Sequence, residues 1–416
     1  MNFLVIHQNY PGQYKYLAPA LVARGHRVVA IPLKNVEVSV NQGVEVMPYE
    51  ADRSSAKTIH PWLMDFETKV IRADNCLRHC MKLSEDGFRP DAIIAHPGWG
   101  ETLFLDELWP DVPIGTYCEF YYHAANSDND FDPEFQKRDR GMGDRCRIRL
   151  KNINPDWYLA QMSKGISPTN WQASLFPDDA RRNISVIHDG IDSHKLCPNP
   201  NIRLKLSDQR QLSRADEVIT FVSRNLEPHR GFHTFMRCLP RLLKDRPKAQ
   251  VLIVGSEGKG YGAAPPAGQT WRQVLEAELK VAAPAMDWSR VMFLGKIPYD
   301  QFVAVLQLSV VHVYLTYPFV ASWSLVEAMS VGAAIVASDT PPVMEFIQDD
   351  ETGVLTDFFD HDALVDKISM LLGDAKLRSR LGASARRAVI SRYDLQSVCL
   401  PQQIEWCESL VSSSAE

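Results

Sequence analysis

The sequence has no long apolar run. No segment of its 416 residues approaches the roughly 20 apolar positions a helix needs to cross a bilayer, so a helical membrane span is excluded and only peripheral contact with lipid remains. It has no cysteines at metal-ligand or redox spacing. The eight are scattered, and the closest two, Cys76 and Cys80, stand one helical turn apart, which predicts reduced, mostly buried thiols. It has no excess of positive charge: a formal net charge of −6 excludes a surface built wholly for nucleic acid, and no nucleic-acid partner is expected. A basic leader and a small-residue cleavage pattern are both missing ahead of Phe3-Leu4-Val5-Ile6. That run reads as a first strand, and a cytoplasmic location is expected.

What is present is ordinary globular composition, 45% hydrophobic and 23% charged, which excludes disorder. A chain of this length predicts two domains of roughly 100 to 200 residues each. Short apolar runs alternate with helical patterns: Phe3–Ile6, a helix near Gln13–Arg24, Arg27–Ile31, Ala92–Ala95 and Ile114–Tyr117. That βαβ order predicts an α/β fold with a parallel sheet. A second series, Glu217–Ser223, Ala249–Val254, Val291–Leu294, Val310–Leu315 and Ala334–Ala337, predicts a second Rossmann-like unit. Between them Cys197–Arg214 contains Pro198 and Pro200 without a clear strand pattern and reads as a linker. The expected division is a first Rossmann-like domain over 1–196, the linker over 197–214, a second domain over 215–392, and a C-terminal helix over 393–416 that packs back on the first. A cleft between the domains is the expected ligand site.

Three segments carry chemistry. His7-Gln8-Asn9-Tyr10-Pro11-Gly12-Gln13 joins the first strand to a helix whose free N–H groups suit an anion, with Gly12 admitting a ligand to the backbone or simply making a turn. Arg224 and Arg230 follow a strand where a crevice opens; they suit a diphosphate, or are solvated surface groups. Ser322-Trp323-Ser324-Leu325-Val326-Glu327 opens a helix whose first amides suit a phosphate. Glu327 suits the two hydroxyls of a ribose, while Ser324 and Glu327 also have the spacing of a capping box. Two further stretches are noted. Asp128-Asn129-Asp130 has a DxD pattern but reads as a solvated loop, and no metal is expected. Gln136–Lys151 holds seven basic residues, Lys137, Arg138, Arg140, Arg145, Arg147, Arg149 and Lys151, against Asp139 and Asp144. It is either a solvated helix face or a contact with the acceptor or with an anionic membrane surface.

Together with Ser167-Pro168-Thr169-Asn170 and Val186-Ile187-His188-Asp189-Gly190-Ile191-Asp192, these segments resemble the GT-B glycosyltransferases, specifically the large retaining family 4. His188-Asp189-Gly190-Ile191-Asp192 is close to the family's N-G-V-D, Phe293-Leu294-Gly295 stands where the family has F-L-G, and Glu327-Ala328-Met329 where it has E-A-M. The resemblance implies two Rossmann-like domains facing across a cleft and a nucleotide-sugar donor. It further implies a glycan, lipid-linked or other acceptor, and a role in polysaccharide or glycoconjugate biosynthesis. By the same resemblance Arg224 and Arg230 hold the diphosphate, Glu327 the ribose, the backbone of Ser322, Trp323, Ser324 and Leu325 the phosphates, and Gly295 belongs to the donor site. Gly12 closes the site from the first domain. No cofactor is implied, and a donor phosphate oxygen takes the acceptor proton with retention at the anomeric carbon. Where the family often has a histidine after the strand Ile114–Tyr117, this chain offers Glu119 and His123, with His96 a further candidate. It departs from the family at the position eight before Glu327, where Phe319 replaces a glutamate, and the step from Arg224 to Arg230 is one residue longer than is common. A sugar-nucleotide epimerase and a catalytically degenerate nucleotide-binding subunit are the alternatives.

Overall fold

A computed structural model describes residues 1–34, 42–135, 141–205 and 210–412. The chain forms two compact units, the first from Met1–Ala125, Lys137–Gly190 and Gln396–Glu416, the second from Asn126–Gln136 and Ile191–Leu395.

In the first unit β1 (Asn2–Ile6), β2 (Arg27–Ile31), β3 (Glu45–Val46), β4 (Ala92–Ala95), β5 (Ile114–Tyr117), β6 (Lys164–Ser167) and β7 (Ile184–Val186) form a parallel sheet in the order β3-β2-β1-β4-β5-β6-β7. Its central strands are apolar throughout because both faces are covered. Phe3 and Val5 point into one core with Leu21, Val28 and Trp406, while Leu4 and Ile6 point into the other with Val29, Cys76 and Trp109. The helix Leu400–Ser412 belongs to the first of these faces. The Trp406 indole donates to the Gly165 carbonyl at 3.2 Å and Gln403 to the His188 carbonyl at 2.8 Å. A β-carbon on Gly115 would stand 2.6 Å from both Trp406 and Leu410, so only glycine lets this helix sit on β5.

The second unit begins with a two-stranded antiparallel hairpin, β8 (Arg203–Lys205) and β9 (Gln211–Ser213). The stretch expected to be a linker without strands therefore carries two. Each has three residues and one core-facing leucine, Leu204 or Leu212, too few for an alternating pattern to register. A parallel sheet follows, built from β10 (Val218–Asn225), β11 (Gln250–Ser256), β12 (Val291–Gly295), β13 (Val311–Tyr314), β14 (Ala334–Ser338) and β15 (Val354–Thr356) in the order β12-β11-β10-β13-β14-β15. In each sheet the direction of strand addition reverses once, between β1 and β4 in the first and between β10 and β13 in the second. The carboxyl ends of those strands are where open α/β sheets bind ligands.

The stretch containing Asp128-Asn129-Asp130 is not a solvated loop. Phe131 lies 5.1 Å from the Tyr317 ring, 5.2 Å from Phe358 and 5.0 Å from Phe359, and Asp132, 4% exposed, accepts from the Tyr317 hydroxyl at 2.5 Å. Asp130 accepts from the amides of Asn126 and Ser127, closing a turn. Phe131 supplies the apolar anchor that the polar residues around it concealed. Of the basic stretch, Lys137, Arg138 and Arg140 lie outside the described residues. Met142–Lys151 is a helix that buries no side chain. All eight cysteines are free thiols, six of them buried. Among the described residues no helix is long and apolar enough to cross a membrane.

Candidate functional site

In the second unit the site grows from the end of β10. Arg224 leaves the strand exposed, and its Nη1 donates to the Tyr261 hydroxyl at 3.3 Å. The turn Pro228–Arg230 then brings Arg230 back beneath the sheet edge. Its Nη1 donates to Thr316 Oγ1 at 3.0 Å and to the Val320 carbonyl at 2.9 Å, both from the segment that follows β13. The two arginines thus flank the point where strand order reverses, one exposed and one 9% exposed. His229 beside Arg230 is held neutral: burial first, then the neighbouring guanidinium, pull its pKa down to about 3. His229 therefore adds no positive charge beside Arg230.

The helix Trp323–Ser330 starts beside them. Ser322 caps it, its Oγ accepting from the Ser324 amide at 3.3 Å, and its own amide is bonded to the Tyr314 hydroxyl at 2.7 Å. The capping-box alternative does not hold, because the N-cap is Ser322, two residues before Ser324. Glu327, 8% exposed, instead accepts from the Tyr299 hydroxyl at 2.7 Å. Gly295 closes β12, four residues before Tyr299.

A second polar group occupies the corresponding reversal in the first unit. His7 follows β1 and His96 follows β4, with their rings 5.3 Å apart. The Asn9 amide donates to His7 Nδ1 at 3.0 Å, which leaves the proton on Nε2, and Nε2 donates to Gln13 Oε1 at 2.8 Å. Burial, with His96 nearby, lowers the His7 pKa to about 4. His96 Nδ1 likewise accepts from the Gly98 amide, so its Nε2 faces Glu119 Oε2 at 3.3 Å. Gly12 belongs to this group: its φ is +46°, and a β-carbon would stand 2.3 Å from the His7 ring. Asp189 accepts from Tyr117 at 3.0 and 3.1 Å.

The structure brings Arg224, Arg230, Ser322, Trp323, Ser324, Leu325 and Glu327 to one end of one sheet, with Gly295 at the end of its edge strand β12, two strands from β10. Gly12, His96 and Glu119 form the other group. His123 joins neither: its Nε2 is bonded to the Leu175 carbonyl at 2.8 Å and its ring lies on Tyr121. Sequence reasoning missed Tyr261, Tyr299 and His7. The alternating glycines of Gly258-Lys259-Gly260-Tyr261-Gly262 were a signal of close backbone approach that could have found Tyr261. Tyr299, beyond a strand end, left none. Among the described residues no group of three or more His, Cys, Asp or Glu could hold a metal ion.

Two family models match the chain, "Glycosyl transferase family 4 group" over residues 24–196 and "Glycosyl transferases group 1" over residues 205–388. The chain is similar to D-inositol 3-phosphate glycosyltransferase of Corynebacterium efficiens, 28% identical over 49% of this chain and 46% of that protein. It is also similar to phosphatidyl-myo-inositol mannosyltransferase of Mycobacterium leprae, 28% identical over 59% of this chain and 58% of that one. The chain thus spans about half the length of the curated relatives it matches. Among solved structures it resembles sucrose-phosphate synthase from Thermosynechococcus elongatus, with a TM-score of 0.72 at 16% identity over 99% of this chain and 100% of that one. Anabaena HepE in complex with UDP and glucose gives 0.68 at 17% identity over the same shares. These likenesses fix the fold as α/β GT-B, with two Rossmann-like units.

Proposed function

The chain belongs to the family 4, group 1 glycosyltransferases, and on that premise we propose that it transfers a sugar from a nucleotide-sugar donor to an acceptor hydroxyl with retention at the anomeric carbon. The observation that carries this is the meeting of Arg224, Arg230, the helix start at Ser322–Leu325 and Glu327 at the strand-order reversal of the second unit. Two guanidinium groups and the positive end of the helix dipole suit a diphosphate, while the amides of Ser322, Ser324 and Leu325 are already bonded to the Tyr314 hydroxyl, the Ser322 Oγ and the Ser322 carbonyl. Each charge-assisted bond contributes about 1.5–3 kcal/mol. Where such bonds strengthen as the diphosphate departs, they lower the barrier to its departure. Glu327, oriented by Tyr299, suits the vicinal hydroxyls of a ribose. In this mechanism a donor phosphate oxygen takes the acceptor proton, so neither a side-chain nucleophile nor a metal is called for. Glu119, backed by His96, is the group we assign to orienting the acceptor, a glycan, a lipid-linked molecule or another hydroxyl-bearing compound. A nucleotide-sugar donor is further supported by the complexes of HepE with UDP and with UDP-glucose.

The test is thermal stabilisation by UDP, GDP, dTDP, ADP and CMP and their sugar conjugates, since a ligand that binds only the folded chain raises its melting point by mass action. One nucleotide class is expected to stabilise, and Arg224→Ala and Glu327→Ala are each expected to remove the shift. Nucleotide binding without sugar transfer would favour the degenerate-subunit alternative, and absence of any shift would overturn the donor site. Donor turnover without an acceptor would favour an epimerase.

A further inference from the structure

The grip assigned above depends on how the Arg230 guanidinium is held. Its Nη1 is bonded to Thr316 Oγ1 at 3.0 Å and to the Val320 carbonyl at 2.9 Å, both acceptors of one short segment. Tyr317 lies between them and is clamped onto the turn that carries Arg230: its amide donates to the His229 carbonyl at 3.0 Å, and its ring lies 4.8 Å from the His229 ring. The far end of Tyr317 is fixed from a distant part of the chain. Its hydroxyl donates to Asp132 Oδ2 at 2.5 Å, and both residues are buried.

Asp132 is itself firmly placed. Its Oδ1 accepts from the Glu134 amide at 2.9 Å, and its Oδ2 also faces His233 Nε2 at 3.1 Å. Burial works against its charge, yet the bonds from His233 and Tyr317 together outweigh burial and hold the carboxyl below its usual range. An ionised carboxylate is a stronger acceptor than a neutral group. Its chain neighbours are anchored as well: Phe131 packs on Phe358 and Phe359, Phe135 lies 5.2 Å from Trp271, and Glu134 accepts from Arg237 at 2.6 and 2.8 Å.

We propose that Asp132 is a positioning residue of the donor site: by holding Tyr317 it fixes Thr316 and Val320, and through them the Arg230 guanidinium that meets the diphosphate. This rests on the donor site assigned above and deepens it. The residue it adds comes from Asn126–Gln136, a stretch whose chain neighbours on both sides belong to the first unit. Without that acceptor the buried Tyr317 hydroxyl stays unpaired or turns toward water, and the segment bonded to Arg230 moves with it.

The experiment titrates the full chain calorimetrically with UDP, or with whichever nucleoside diphosphate stabilises it, at a temperature where melting curves show each variant folded. Asp132→Ala is expected to weaken binding about tenfold. Tyr317→Phe keeps the ring and removes the hydroxyl, and a similar loss is expected. The double variant is expected to lose no more than about twofold beyond either, because the two residues act through one bond. Asp132→Asn keeps an acceptor for the hydroxyl and is expected to bind within about threefold of the parent. In an Arg230→Lys chain, whose single ammonium replaces the forked guanidinium, Asp132→Ala is expected to change affinity less than about twofold. Unchanged affinity in folded Asp132→Ala overturns the proposal, as does an undiminished loss in the Arg230→Lys chain or a loss in Asp132→Asn equal to that in Asp132→Ala. Where Asp132→Ala does not fold, Tyr317→Phe decides, with unchanged affinity overturning the proposal. A parent chain that binds no nucleotide overturns the donor site itself, an outcome distinct from nucleotide binding that is indifferent to Asp132.

Discussion

At Gly12 the backbone is left-handed and the His7 imidazole fills the place of a side chain, 2.3 Å from where a β-carbon would stand. Gly12→Ala must therefore strain the backbone and displace a ring already fixed by Asn9 and Gln13. A loss of about 1–3 kcal/mol is expected in urea or thermal unfolding. A variant as stable as the parent would mean that the loop adopts another conformation. The sequence left Gly12 either as a point of ligand approach or as a simple turn, and in the structure the group beside it is the chain's own His7 ring. Glu327 illustrates the opposite case. Its spacing from Ser324 invited a purely local role, and only Tyr299, twenty-eight positions away, shows which way the carboxylate is held. Local spacing reveals a residue's type and element, whereas the partner that orients it comes from the start of another helix, Tyr299–Leu308.

At the scale of elements, the strands with four or more consecutive apolar residues were legible and the short ones were not. β6 begins with Lys164 and Gly165, and β7, β8, β9 and β15 have three residues each, so propensity had little to act on. The helix Met142–Lys151 was legible as basic but not as half-exposed along its length. It buries no side chain, Met142 is 73% exposed, and Arg145 and Arg149 are exposed beside it. Arg147 is paired with Asp144 at 3.4 Å, and Lys151 lies over the Tyr122 ring at 4.5 Å. If this face meets a membrane, Arg145 and Arg149 provide the attraction, at about 1 kcal/mol each near an anionic surface. Co-sedimentation with phosphatidylglycerol vesicles at low salt is then expected, lost at high salt and weakened by replacing both arginines with alanine. No salt-sensitive binding would end the membrane role.

Across the whole molecule both units hold histidines neutral by burial, His7 and His188 at about 4 in the first, His229 and His312 at about 3 in the second. The unfolded chain takes up these protons near pH 6.5 and the folded chain refuses them until pH 4 or below. Stability is therefore complete above 6.5 and falls as pH drops toward 4, by at most about 1.4 kcal/mol per pH unit for each imidazole. Melting curves from pH 8 to 4.5 are expected to be nearly level at first and to decline below 6.5. A level profile throughout would contradict the burial of these rings. The α/β class and both strand series were legible from apolar periodicity. The assignment of Asn126–Gln136 to the second unit was not, since it depends on Phe131 finding Tyr317, Phe358 and Phe359, all far along the chain. The return of the last helix to the first unit also bears on biogenesis. Ribosomal synthesis delivers Ile191–Leu395 before Trp406, Cys407 and Leu410, which cover one face of the first sheet. The unit begun first is thus finished last. A chain released before Gln396 would carry an intact second unit and an uncovered apolar sheet face, a mark by which quality control could tell an interrupted product from a finished one.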